Sequence, residues 1–251
     1  MHRRRSGVTL ISGPVRAAVP MVSRHEGHVR PGLLSDFILG SQDGLVNVLG
    51  ILLGLSAATS DTRLIIIAAL AALGAESVSM GAVAYTSTLA RRKVYEAETQ
   101  RELQEMKDIP DAEREEVRTI FRKWGYSGEE LEEMVRKIEA KPKAMLDLMM
   151  AFELNLASVP AEAPQNSALV VFAATIVGSS IPLIPYLVAG HDLEAAAIAS
   201  VLVSAAALFG IGWYEARITL GSVWKSGLRM LAIGLAAGLA GFLIGHFAGA
   251  Y

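Results

Sequence analysis

The sequence predicts an all-α membrane protein with five transmembrane helices and a helical, water-soluble segment inserted between the second and third. Three observations predict it. Of the 251 residues, 52% are hydrophobic, and the mean hydropathy is +0.40. Five separate stretches reach the roughly 20 mainly apolar residues that a bilayer crossing requires. Charge is also concentrated: residues 91 to 165 hold 17 of the 25 acids and 13 of the 23 basic residues. The chain has no cysteine, which excludes disulfides, thiolate zinc sites and cysteine nucleophiles.

Residues 1–35 read as a basic tail. The first 30 carry six arginines, and Val8 to Ile11 is far too short for the apolar core of a signal peptide. Residues 36–90 hold two spans, at about 36–58 and 64–90. Residues 91–165 form the acidic insert, and residues 166–251 hold three further spans at about 167–189, 193–215 and 227–249. Orientation follows from arginine and lysine near the span ends. The tail, the exit Arg91-Arg92-Lys93 and the loop with Arg217, Lys225 and Arg229 are basic, whereas 59–63 and 190–194 are nearly free of positive charge. The amino terminus and the insert are therefore expected in the cytoplasm, and the carboxyl terminus outside.

No helix-breaking signal separates the second span from ARRKVYEAETQRELQEM, so one helix is expected to cross the bilayer and continue about 25 Å beyond it. Pro110 restarts a helix with acids in its first turn. Ser127 with Glu130 forms a capping-box pattern, and Pro142 suits the first turn of a last insert helix carrying DLMMAFEL. Small-residue spacing in the spans (Gly40 with Gly44, Gly50 with Gly54, and Gly234 to Gly249) leaves intramolecular packing and homodimerisation equally open. Pro182 and Pro185 within IPLIPY likewise fit either a packing kink or a transport gate.

Two spans carry acids at membrane depth: Asp43 in SQDGLVNVLG and Glu76 in GAESVSMGA. A carboxylate there costs at least about 2.5 kcal/mol, so it calls for water, a partner or a cation. The alternative is an aspartate that snorkels to the interface or caps a helix. Asp43 and Met80 lie at similar depth, roughly 10 to 15 Å from the cytoplasmic side, and Glu76 is one turn from Met80. Two hard oxygen donors and one thioether suit a divalent ion such as iron(II), cobalt(II) or zinc. The carboxylates can also take up protons as the ion leaves.

In the insert, Glu132 and Glu133 have Arg136 and Lys137 four residues later, which reads as a solvated face. Glu102, Glu113, Glu116 and Glu153 have no basic residue three or four positions away, Glu105 has only Arg101, and Asp147 only Lys143. These acids fall on three faces: Glu98, Glu102 and Glu105; Glu113 and Glu116; and Asp147, Met150 and Glu153. Like charges at that spacing repel, which makes them candidates to converge on a cation. Histidine occurs only at positions 2, 25, 28, 191 and 246, outside the insert, and this disfavours a di-iron centre built from Glu-x-x-His helices.

SQDGLVNVLGILLGLSAA in the first span, DLMMAFEL before the third, SSIPLIPYLV within it and EARITLGSVWKSGLRMLAIG joining the last two together resemble the vacuolar iron transporters. The resemblance runs from Leu33 to the end. It implies a homodimer whose cytoplasmic metal-binding domain gathers iron(II) or related ions, and transport out of the cytoplasm in exchange for protons. Position by position it points to Asp43 and Met80 in the path, and to Glu102, Glu105, Glu113, Glu116, Asp147, Met149, Met150 and Glu153 in the insert. Family members usually have Gly-Glu and an aromatic shortly after the Ser-Met pair, where this chain has Ala84 in SMGAVAY. Glu76, two turns earlier, is the candidate substitute.

The expected function is a proton-coupled antiporter of iron(II), with manganese(II) as a second cargo and cobalt(II) and zinc as candidates. No enzymatic activity and no permanently bound cofactor are expected. The expected partners are metal ions, protons, lipid and a second copy of the chain, and no nucleic acid. The membrane would be vacuolar, or the plasma membrane in a host without vacuoles. The alternative is a membrane-anchored iron-oxidising, metal-storing or metal-sensing protein. A mere anchor, however, gains nothing from a buried Asp43. DLMMAFEL leaves open which of its two methionines faces a metal.

Overall fold

A computed structural model describes residues 31–190, 192–219 and 221–249. The basic tail expected at the amino terminus lies almost wholly outside the described residues. Among those described there are eight helices and no strand: α1 (Pro31–Ala58), α2 (Thr62–Asp108), α3 (Pro110–Lys123), α4 (Gly128–Glu139), α5 (Pro142–Phe152), α6 (Ala163–Val188), α7 (Leu193–Ile218) and α8 (Val223–Ala248). Five of them, α1, α2, α6, α7 and α8, are long and apolar enough to cross a membrane.

The 47-residue α2 extends about 70 Å. It starts where the Asp61 carboxylate accepts hydrogen bonds from the N–H groups of Arg63 and Leu64, at 3.0 and 3.1 Å. It contains no proline and stops at Ile109, the residue before Pro110, where the ring disfavours helical backbone. The span and the start of the insert are thus one rigid rod. Pro110 and Pro142 open α3 and α5, positions where a missing N–H costs nothing. Asp111 and Glu113 sit in the first turn of α3, where the helix dipole favours negative charge.

The capping box expected at Ser127 is not made. Ser127 is the N-cap residue of α4, but its hydroxyl bonds to none of the first N–H groups. The next residue, Gly128, enters the helix with φ 57°, a left-handed geometry that turns the first turn away from the hydroxyl. Glu133 pairs with Lys137 at 2.7 Å, as the spacing predicts. Glu132 instead crosses to Arg118 on α3 at 2.7 Å, because the planar guanidinium offers two parallel donors. With Arg114–Glu139, this ties α3 to α4 outside a core of Val117, Phe121, Leu131, Val135, Met145 and Met149.

In the spans, α1 packs mainly on α6 and α8. Its glycines supply the close approach: Gly40 and Gly44 face the α6 backbone at Val171 and Thr175, and Gly50 and Gly54 lie against Gly241 and Gly245 of α8. The glycine spacing therefore serves packing within one chain. Pro182 is buried inside an unbroken α6, and its carbonyl accepts a 2.8 Å bond from the Ser200 hydroxyl. Beside it, Tyr186 is buried and bonds Ser56 of α1 at 2.8 Å. The proline pair sits in a packed junction.

These contacts carry a prediction. Gly245→Ala places a methyl group into the Gly54 carbonyl, backbone against backbone, and is expected to cost about 1–3 kcal/mol or more. Gly74→Ala meets open space in α2 and should be neutral or stabilising by up to about 1 kcal/mol. Thermal melting in detergent should separate the two variants by several degrees.

Candidate metal centre

The far end of α2 projects Glu102 and Glu105 from one face, since residues three apart are neighbours on a helix. The first turn of α3 brings Glu113 to meet them. One carboxylate oxygen from each of the three lies within 4.8 Å of the others. Glu102 is 3% exposed and Glu113 1% exposed, and each has a buried Oε2 with no hydrogen-bond partner. Among the described residues, no ion pair reaches Glu102, Glu105, Glu113, Glu116, Asp147 or Glu153. Buried, unpaired carboxylates are costly, and a bound cation or proton relieves that cost.

Electrostatics shows the same strain. Burial, followed by the charges of Glu116, Glu102 and Glu105, pushes the Glu113 pKa up to about 7. Burial, then Glu105, Glu116 and Glu98, raises that of Glu102. Glu153, at the C-cap of α5, is exposed overall, yet its carboxyl lies close enough to Glu116, Glu102 and Glu113 to feel their charges. Loss of water around that carboxyl and the charges of Glu116, Glu102 and Glu113 push its pKa up to about 7. Five glutamates from three helices thus form one electrostatic group.

The two methionines of DLMMAFEL part company. Met149 is fully buried in the apolar core with Val117, Phe121 and Met145. Met150, 2% exposed, puts its sulfur 3.9 Å from the Thr99 hydroxyl, one turn before Glu102 on α2. Asp147 is exposed, and its side chain makes no hydrogen bond among the described residues. The chemistry offered is a hard oxygen cage with one thioether nearby, fit for a divalent transition ion.

In the spans, the half-buried Asp43 of α1 and Glu76 of α2 are close enough for the charge of one to act on the carboxyl of the other. Asn47, one turn beyond Asp43, donates from Nδ2 to Glu76 Oε1. Met80 is half-buried one turn farther along α2. Asn47 was not among the residues singled out from the sequence. The available signal was its place four residues after Asp43 on an otherwise apolar helix. Ala84 is buried, 6% exposed. About 39 Å of α2 separates Glu76 from Glu102. Part-way along, a cavity of about 500 Å³ is lined by Asp36, Thr88, Arg91, Asn166 and Ser167, among others.

Raised carboxyl pKa values also make stability depend on pH. Glu113 and Glu153 hold their protons more tightly when folded, at about 7 against an ordinary 4.5. Folding therefore takes up protons between these values, and stability falls as pH rises through the window. For the buried Glu113 the loss is on the order of 3 kcal/mol. Metal-free protein should melt higher at pH 5 than at pH 8. Divalent metal should reverse that order, which melting curves with and without manganese(II) would check.

A family model described as the VIT family matches residues 34–246. Vacuolar iron transporter 1 of Arabidopsis thaliana is 31% identical over 220 residues, covering 87% of this chain and 88% of the relative. Vacuolar iron transporter 2 of Oryza sativa subsp. japonica is 33% identical, covering 86% and 88%. Protein CCC1 of Saccharomyces cerevisiae is 26% identical, covering 86% of this chain and 69% of its own. The match takes in both carboxylate groups, all five long helices and the insert between them: the chain belongs to the VIT family.

Proposed function

We propose that the protein is a proton-coupled antiporter that moves iron(II), and manganese(II) as a second cargo, out of the cytoplasm. The observation that carries this reading is the cluster of Glu102, Glu105 and Glu113, with two buried, unpartnered carboxylate oxygens and, among the described residues, no ion pair to any of the three. Such a group holds protons or a cation, and exchanges one for the other as conditions change. Glu116, Glu153 and the Met150 thioether complete the capture site, on the cytoplasmic side by the distribution of arginine and lysine. Asp147 and Met149 belong to the same short helix, with Met149 supporting the site from the core.

Asp43, Glu76 and Met80 form the transfer site in the membrane. Glu76 supplies the second carboxylate of that site, two turns before Ala84. The cavity beside Asp36 and Arg91 supports a wetted approach between the two sites. The α1–α2 seam is lightly packed and leaves Asn47 exposed, which supports a second copy of the chain closing the path as a homodimer. The names of the relatives support iron as cargo and a vacuolar membrane as the location.

The reading is tested with full-length protein in sealed vesicles containing a metal-quenched dye. Anaerobic iron(II), and separately manganese(II), should enter faster than into protein-free vesicles and should be accompanied by proton movement the other way. Metal bound but never delivered to the lumen would instead mark a storage or sensing protein.

A further inference from the structure

Asn47 stands out among the polar groups of the spans because it bonds a carboxylate at membrane depth on another helix. Ser41, Ser77 and Thr175 turn back onto their own helix, to Phe37, Leu73 and Val171, while Ser200 and Tyr186 cross to Pro182 and Ser56, and none of these reaches an acid. Asn47 reaches from α1 to α2 and donates to a carboxylate that feels the charge of Asp43 on its own helix. Its spacing of four from Asp43 puts both side chains on the same side of α1. Only the Nδ2 end of the amide can face an ionised carboxylate, because Oδ1 would repel it. Asn47 is exposed on this chain, so burial does not force the bond.

A glutamate has three rotatable side-chain bonds and many places to go, the membrane–water interface among them. Two neighbouring carboxylates also push each other apart. The Asn47 amide opposes both tendencies, holding Glu76 against Asp43. It is a neutral donor, so the charge of the pair is left for a divalent cation to neutralise. A lysine or arginine at the same place would neutralise one carboxylate and compete with the cargo.

We propose that Asn47 is a positioning residue of the transport path, holding Glu76 opposite Asp43 so that the two carboxylates receive one divalent cation together. This rests on the transport reading above. The effect is preorganisation, which appears in the half-saturating metal concentration more than in the maximal rate.

The test measures manganese(II) uptake by the full-length protein in vesicles for the parent, Asn47→Ala, Asn47→Leu, Glu76→Gln and the double variant Asn47→Ala/Glu76→Gln. Leucine suits a membrane helix, so Asn47→Leu keeps the test valid if alanine harms folding. Both Asn47 variants should raise the half-saturating concentration about tenfold with the maximal rate within about twofold. The double variant should be no worse than Glu76→Gln alone, since Asn47 acts through that carboxylate. An unchanged half-saturating concentration in both Asn47 variants, or full additivity in the double variant, overturns the proposal. Asp43→Asn is run in parallel. Flux indifferent to it would overturn the transport reading and the role of Asn47 with it, whereas loss of flux there alongside parent-like Asn47 variants removes the Asn47 role alone.

Discussion

Asp43→Asn is expected to reduce metal flux by more than about tenfold while leaving the protein as stable as the parent or more so. A carboxylate at membrane depth costs at least about 2.5 kcal/mol, and asparagine removes most of that cost along with the repulsion from Glu76. On the proposed transport path, the same change halves the charge available to a divalent ion. Opposite movements of stability and flux distinguish this from a folding defect, in which both fall. Vesicle uptake and a melting curve on the same preparation read the two quantities.

The double replacement Glu102→Gln/Glu113→Gln should behave in the same two-sided way in the insert. Both residues are buried with unpartnered oxygens, and Glu113 is already half protonated near pH 7. Glutamine mimics that protonated form. The metal-free protein should gain stability and lose the part of its pH dependence between about 5 and 8 that Glu113 contributes, while affinity for iron(II) or manganese(II) drops about 10- to 100-fold. Anaerobic calorimetric titration of the full-length protein measures the affinity. A solvated acidic face would show none of these changes.

Proton competition at Glu113 and Glu153 also gives capture its own pH dependence. Their pKa values lie at about 7, so a divalent ion arriving at pH 6 must displace protons from both, and at pH 8 from neither. Apparent affinity should therefore rise as pH increases from 6 to 8. It should rise less steeply in Glu153→Gln, where one of the two protons no longer has to leave.

Features set by local physics were legible in the sequence. Span length, the unbroken α2 and the helix starts at Pro110 and Pro142 depend on residues within a few positions of one another. Glu102 and Glu113 stand out as acids without a helical partner, because an unneutralised charge is visible in one dimension. Glu132 shows where that logic stops: its local partner Arg136 was available, but the fork of Arg118 on a neighbouring helix took it. The glycine spacing could not choose between partners, because close approach looks the same whether the facing helix belongs to this chain or another. The packing of α1 between α6 and α8 shows these glycines in use within the chain. Asn47 carried no charge to notice. The two methionines of DLMMAFEL differ by a single helical step, and the placement of α5 against α2 turned one to the core and the other toward Thr99.

The central claim is that metal movement and proton movement are coupled. It is tested most directly by manganese(II) entry into sealed vesicles of the full-length protein, with the interior made acidic and the gradient then collapsed by a proton ionophore. Coupling predicts fast entry with the gradient, slow entry without it, internal alkalinisation in step with metal uptake, and loss of all three in Asp43→Asn. Entry that proceeds at one rate with or without the gradient, and survives Asp43→Asn, would contradict the account.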